Sequence, residues 1–179
     1  MSDLSPVSPF TAASAAIRPL GHFGRAVLRC PAAMLDTVGE RLGIALPAEA
    51  CRSVGDDSLA ALWLGPDEWL LLSADAPDDW VASLQARLGD ALCALVDVGH
   101  RQVALEVADG RIGAERLLAS GCALDLALTA FPVGMCTRTM YDKAEVVLWR
   151  RAPDRFHVEV WRSFARYTEG LLRVAESEA

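Results

Sequence analysis

Leu62–Ser73 reads Leu-Trp-Leu-Gly-Pro-Asp-Glu-Trp-Leu-Leu-Leu-Ser, two apolar runs on either side of Gly65-Pro66-Asp67-Glu68. Apolar runs this short, bounded by Gly-Pro, predict two buried strands joined as a hairpin. Pro66 suits the second position of a tight turn because its φ is already set, and aspartate is a common neighbour there. The Asp67-Glu68 pair is read as a solvated turn. Acid–base chemistry needs two carboxyls held at fixed separation in different environments, which adjacent turn residues seldom provide.

Outward from this hairpin the chain follows a strand–helix grammar. Residues 24–30 alternate, with Ala26 and Leu28 on one side and Arg25, Val27 and Arg29 on the other. Pro31 fits a first helical turn, Met34, Leu35, Val38 and Leu42 recur at helical spacing, and Gly43 is a natural stop. After the hairpin, Pro77-Asp78-Asp79 opens a helix striped by Trp80, Leu84 and Leu88 and ended at Gly89. Residues 93–98 form a short apolar strand. Gly99-His100 is a joint, and the grammar then restarts. A strand at 102–107 is followed by a helix capped by Asp109, with Ala114, Leu117 and Leu118 on one face. Three strands follow at 135–141, 145–150 and 155–161. In the last, Phe156, Val158 and Val160 are expected inside and His157, Glu159 and Trp161 outside. Ser163 is the expected cap of a final helix with Phe164, Tyr167, Leu171 and Leu172 along one side.

This order predicts an α+β fold. Two similar halves of mixed or antiparallel sheet, 23–98 and 99–179, carry helices on one face, and residues 1–22 form an extended or flexible arm. At 179 residues such a chain buries enough surface to stand without disulfides.

Composition narrows the function. The net charge of −7 lacks the basic footprint of a nucleic-acid binder. A 53% hydrophobic share and a mean hydropathy of +0.24 fit either apolar area left for a partner surface or a dense core in an alanine-rich chain. No run of about eighteen apolar residues predicts a membrane span, and no basic start followed by an apolar core predicts a signal peptide, so a cytoplasmic location is expected. Five widely spaced cysteines form no CxxC pair. His22, His100 and His157 lack metal-ligand spacing, and no GxGxxG or GxxxxGK[ST] loop occurs. The expectation is therefore no catalytic residue, no metal and no cofactor in this chain. Late arginines interleaved with Trp149, Trp161, Phe164 and Tyr167 match the composition of protein interfaces, though an anionic ligand or a solvated face would use the same residues.

Several blocks carry a family resemblance in order: Leu62–Ser73, then Asp97-Val-Gly-His-Arg101 leading into Leu105-Glu-Val-Ala108. Leu117-Leu-Ala-Ser-Gly-Cys122 with Leu124-Asp-Leu126 follows, then Phe131-Pro-Val-Gly-Met-Cys-Thr-Arg138, Val147-Leu-Trp-Arg150 and Val158-Glu-Val-Trp-Arg-Ser-Phe164. Together they resemble the gamma subunits of heterotetrameric sarcosine oxidases from about Gly24 to Leu172. That family in turn resembles the folate-binding aminomethyltransferase fold. The catalytic relatives keep an aspartate soon after the helix that ends near Leu118. Here the stretch reads Ser120-Gly-Cys-Ala-Leu-Asp125, with the aspartate displaced.

The resemblance implies a structural subunit of an oxidoreductase complex that demethylates sarcosine to glycine with hydrogen peroxide and passes the one-carbon unit to tetrahydrofolate. It implies alpha, beta and delta subunits as partners, with FAD, FMN, NAD and zinc held by those subunits. Trp69, Arg138, Trp161 and Arg162 are the expected partner contacts. A free-standing folate-binding one-carbon transferase and a generic binding module of the same fold are the alternatives.

Overall fold

A computed structural model describes Phe10, Ser14 and residues 16–178 apart from positions 57, 75 and 109–111. Ten strands, four helices and two single 3-10 turns alternate along these residues. The strands are β1 (Ile17–Pro19), β2 (Phe23–Arg29), β3 (Ser53–Gly55), β4 (Ala60–Gly65), β5 (Glu68–Ala74), β6 (Ala94–Asp97), β7 (Gln102–Val107), β8 (Cys136–Tyr141), β9 (Ala144–Ala152) and β10 (Arg155–Trp161). The helices are α1 (Leu35–Leu42), α2 (Trp80–Leu88), α3 (Ala114–Ala119) and α4 (Ala165–Ser177).

Two five-stranded sheets result, in the orders β3-β4-β5-β2-β6 and β1-β7-β10-β9-β8. Every pairing is antiparallel. The sheets lie face to face. Phe23, Leu62, Leu70 and Leu72 of the first pack on Cys136, Val147 and Trp149 of the second. Helices α1 and α2 cover the outer face of the first sheet, and α3 and α4 that of the second. The architecture is thus α+β in four layers, helix–sheet–sheet–helix.

This layering explains the opening hairpin. Trp69 and Leu71 enter the core under α1 and α2, while Leu70 and Leu72 enter the core between the sheets. A strand buried on both faces needs no polar alternation. Each buried leucine contributes about 1.5–3 kcal/mol relative to an exposed one. The hairpin pairs Leu62 with Leu70 and Trp63 with Trp69, with a bulge between Trp63 and Gly65 that sets up the Pro66-Asp67 turn. Helix α1 ends as expected at Gly43, whose φ of +78° suits a residue without a Cβ.

Three features differ from the sequence reading. Ile17–Pro19, expected in an extended or flexible arm, is an edge strand paired with β7, and it carries the chain from the second sheet to the first. Its proline sits where an edge strand tolerates one. Ser53–Gly55, to which no strand was assigned from the sequence, is β3, and beside it the sheets join through an Arg52–Met135 bridge. Third, His157 and Glu159 do not face solvent. The first sheet covers that side of β10, so both are buried. Position 109, the expected cap of α3, lies outside the described residues. Among the described residues, no helix is long and apolar enough to cross a membrane.

Candidate subunit interface

The inner face of the second sheet decides which residues are left for a partner. Side chains alternate along each strand, so Cys136, Arg138 and Met140 of β8 share the inner side with Val147 and Trp149 of β9 and with His157 and Glu159 of β10. The first sheet covers most of these. Cys136, Val147, Trp149, His157 and Glu159 are all buried. The last row along this face escapes. Met140 pairs with Glu145 across β8 and β9, and Trp161 follows on β10 with its Nε1 donating to the Glu145 carboxylate at 3.3 Å. Met140 is 48% exposed and Trp161 41%.

Two local structures complete this surface. Between β8 and β9 the chain turns at Asp142, with a φ of +50° that aspartate tolerates better than most residues, and Lys143 is set at the tip. After β10 a 3-10 turn over Arg162–Phe164 precedes α4. That turn shifts the helical phase, so α4 buries Ala165, Thr168, Glu169 and Leu172. Phe164 and Tyr167, expected on the buried stripe, are instead on the surface, packed edge to face with centroids 6.4 Å apart. Ser163 makes no capping hydrogen bond. Met140, Lys143, Glu145, Trp161 and Phe164 line an open groove of about 290 Å³.

The charges around this groove are ordered. The Arg101 guanidinium lies 5.2 Å over the Trp161 ring, and Arg162 Nε donates to the His100 carbonyl at 3.4 Å. The Tyr167 hydroxyl donates to the Asp142 carboxylate, a bond that pushes the tyrosine pKa up. One step deeper, Arg138 reaches across from β8 to Glu68 on β5, and Arg29 takes the other Glu68 oxygen at 2.6 Å. Burial alone would raise the Glu68 carboxyl, but Arg29 and Arg138 together hold it below the usual range.

The four expected partner contacts therefore separate. Trp161 is exposed and lines the groove, and Arg162, half-buried, follows it in the chain. Arg138 adjoins it, with Nε 3.9 Å from Glu145, and ties the two sheets together. Trp69 is corrected outright: it is fully buried, and its Nε1 donates to the Pro47 carbonyl at 2.9 Å, so it offers a partner no surface. Glu68, expected in a solvated turn, is likewise nearly buried between two arginines. Met140 had no mark in the sequence, and Phe164 and Tyr167, although they stood among the late aromatics, were expected on the buried helical stripe because the 3-10 turn that exposes them has no sequence marker. Elsewhere, among the described residues, no group of three or more His, Cys, Asp or Glu is placed to hold a metal ion.

Residues 28–178 match the model of the sarcosine oxidase gamma subunit family. The chain belongs to that family. It is 30% identical over 142 residues to the sarcosine oxidase subunit gamma of Corynebacterium sp. strain P-1, covering 79% of this chain and 68% of that one. It is 32% identical over 137 residues to the corresponding protein of strain U-96, covering 76% and 65%. This chain thus spans about two thirds of the length of these curated relatives. Its backbone is similar to a chain of the heterotetrameric sarcosine oxidase from Corynebacterium sp. U-96, solved in complex with pyrrole 2-carboxylate. The TM-score there is 0.82 at 28% identity, over 90% of this chain and 83% of that one. The glycine cleavage system aminomethyltransferase T of Bartonella henselae shares the fold, with a TM-score of 0.67 at 16% identity over 87% of this chain and 44% of that protein. The gamma-family chain thus has the fold that its sequence blocks implied.

Proposed function

We propose that this gamma-family chain is an assembly subunit of a heterotetrameric sarcosine oxidase and does no chemistry of its own. The complex oxidatively demethylates sarcosine to glycine, forms hydrogen peroxide and passes the one-carbon unit to tetrahydrofolate. FAD, FMN, NAD and zinc reside on the alpha, beta and delta subunits, and the complex works in the cytoplasm. The chain supplies a rigid four-layer body whose Trp161 surface docks against its neighbours.

The observation supporting this reading is the backbone similarity over 90% of the chain to a component of a solved heterotetrameric sarcosine oxidase. The surface agrees with it, since aromatic, methionine and arginine side chains are what protein interfaces concentrate. The test is to purify the tagged chain from its own cell and assay the eluate for sarcosine-dependent peroxide. Activity in step with the tagged chain supports the reading; a pure monomer with no such activity ends it.

A further inference from the structure

We infer that the groove between Met140, Trp161 and Phe164 seats a segment of another subunit that presents an apolar side chain flanked by carboxylates. This rests on the proposed function above and adds the chemistry of the occupant.

The groove is preorganised. The Trp161 ring is held between the Arg101 guanidinium and the Glu145 carboxylate, and Phe164 is held edge to face by Tyr167. Rings already fixed lose little freedom when a partner arrives, so more of the contact energy remains as affinity. Met140 completes the floor with an unbranched thioether that adapts to an inserted side chain. A central aromatic pocket of this kind is where binding energy concentrates.

The charges specify what surrounds the inserted group. Lys143, the single lysine of the chain, is exposed on the groove wall and has no ion-pair partner among the described residues. Among the described residues, Arg101 and Arg162 donate to neutral acceptors, the Gln102 side chain and the His100 carbonyl. The nearby carboxylates are engaged within the chain, Glu145 by Trp161 and Arg138, and Asp142 by Tyr167. Lys143 thus lines an apolar groove on a protein of net charge −7, with Arg101 stacked on its Trp161 wall and Arg162 next to Trp161 in the chain, and among the described residues none of the three has a carboxylate partner. An occupant bearing Asp or Glu beside its apolar anchor satisfies all of them. A second copy docking by twofold symmetry through this groove would set the same three cations against themselves, which like-charge repulsion disfavours.

The test uses the co-expressed complex. Photoreactive variants Met140→benzoylphenylalanine and Phe164→benzoylphenylalanine are compared with Leu92→benzoylphenylalanine, at a 70% exposed site between α2 and β6. Mass spectrometry of the irradiated complex is expected to show both groove positions joined to a segment of another subunit that contains Asp or Glu within a few residues of an apolar side chain. Lys143→Glu combined with Arg162→Glu is expected to weaken assembly at least tenfold while the free chain keeps its melting temperature. Joining from Leu92 but not from the groove, to a second copy, or to a segment without carboxylates overturns the inference while leaving the proposed function standing. Failure of the unaltered chain to enter the complex overturns both.

Discussion

Arg25 on β2 and Glu159 on β10 meet 2.7 Å apart between the two sheets, and both are almost wholly buried. The Glu159 carboxylate also contacts His157 Nε2 at 2.7 Å, and Arg25 Nη1 donates to the Phe23 carbonyl at 2.9 Å. A buried ion pair thus ties the two sheets together, beside the Arg138–Glu68 pair nearer the edge. Burial alone would raise the Glu159 carboxyl, but Arg25 and then His157 outweigh it and hold its pKa down at about 2.

Glu159→Gln is therefore expected to destabilise the chain by about 3 kcal/mol at neutral pH, as removal of one partner leaves Arg25 buried and unpaired. The sign with pH follows from the lowered pKa. The contribution of Glu159 is complete above the unfolded carboxyl value of 4.5 and is lost as pH falls from there toward 2. Denaturant titrations from pH 7 to pH 2.5 should show the difference between the two proteins shrinking across that window. A difference that stays constant with pH would show that the carboxylate is not held in this way.

Arg150 predicts a second weak point. Its guanidinium is fully buried and donates to the Leu126, Phe131 and Pro153 carbonyls and to the Glu115 carboxylate. It also packs 4.8 Å from the Phe156 ring centroid. Arg150→Met keeps much of the packing but leaves those carbonyls without a donor, at about 1–3 kcal/mol for each that stays buried. A melting temperature lowered by about 10 °C is expected by calorimetry. A shift below about 2 °C would mean that the 121–135 segment does not depend on it.

Trp69 and Trp161 should behave oppositely. Trp69→Phe loses the bond to Pro47 and opens space under α1 and α2, so the free chain should melt earlier while assembly of the folded fraction is unchanged. Trp161→Ala should leave melting nearly unchanged but weaken assembly by about 30-fold, as a central aromatic contact does. Titration of each purified variant into the remaining subunits, beside its melting curve, separates the two effects. The reverse pattern would place the interface elsewhere.

Much of the fold was legible because its longest patterns are local. The Leu62–Ser73 hairpin, the Gly43 stop of α1 and the Arg155–Trp161 strand all lie where residue spacing puts them. What stayed hidden depends on neighbours distant in sequence. The alternation of β10 correctly separates Phe156 from His157, yet only the first sheet, whose Phe23 and Arg25 lie over a hundred residues earlier, turns the polar side into a second interior. Strands β1 and β3 have three residues each, too short for any periodicity, and are held by partners rather than by propensity. The surface around Trp161 was half legible. Trp161 and Arg162 stand out by residue type, whereas Phe164 and Tyr167 were assigned to the buried face because the 3-10 turn over Arg162–Phe164 shifts the phase of α4.

Gly24 marks a close approach that only the packing reveals. A Cβ there would lie 2.5 Å from the Ala76 Cβ and 2.6 Å from the Trp80 ring. Gly24→Ala should force β2 and α2 apart and cost about 1–3 kcal/mol. Urea unfolding that gives a midpoint equal to the unaltered chain would contradict this packing.

The central claim is that this chain exists to be one member of a larger enzyme. Native mass spectrometry of the chain co-expressed with the proposed alpha, beta and delta partners reads this out. The expected spectrum is a single species containing one copy of each, with Trp161→Ala shifting it toward free chain and an incomplete complex. A complete, active complex that forms equally well without this chain would contradict it.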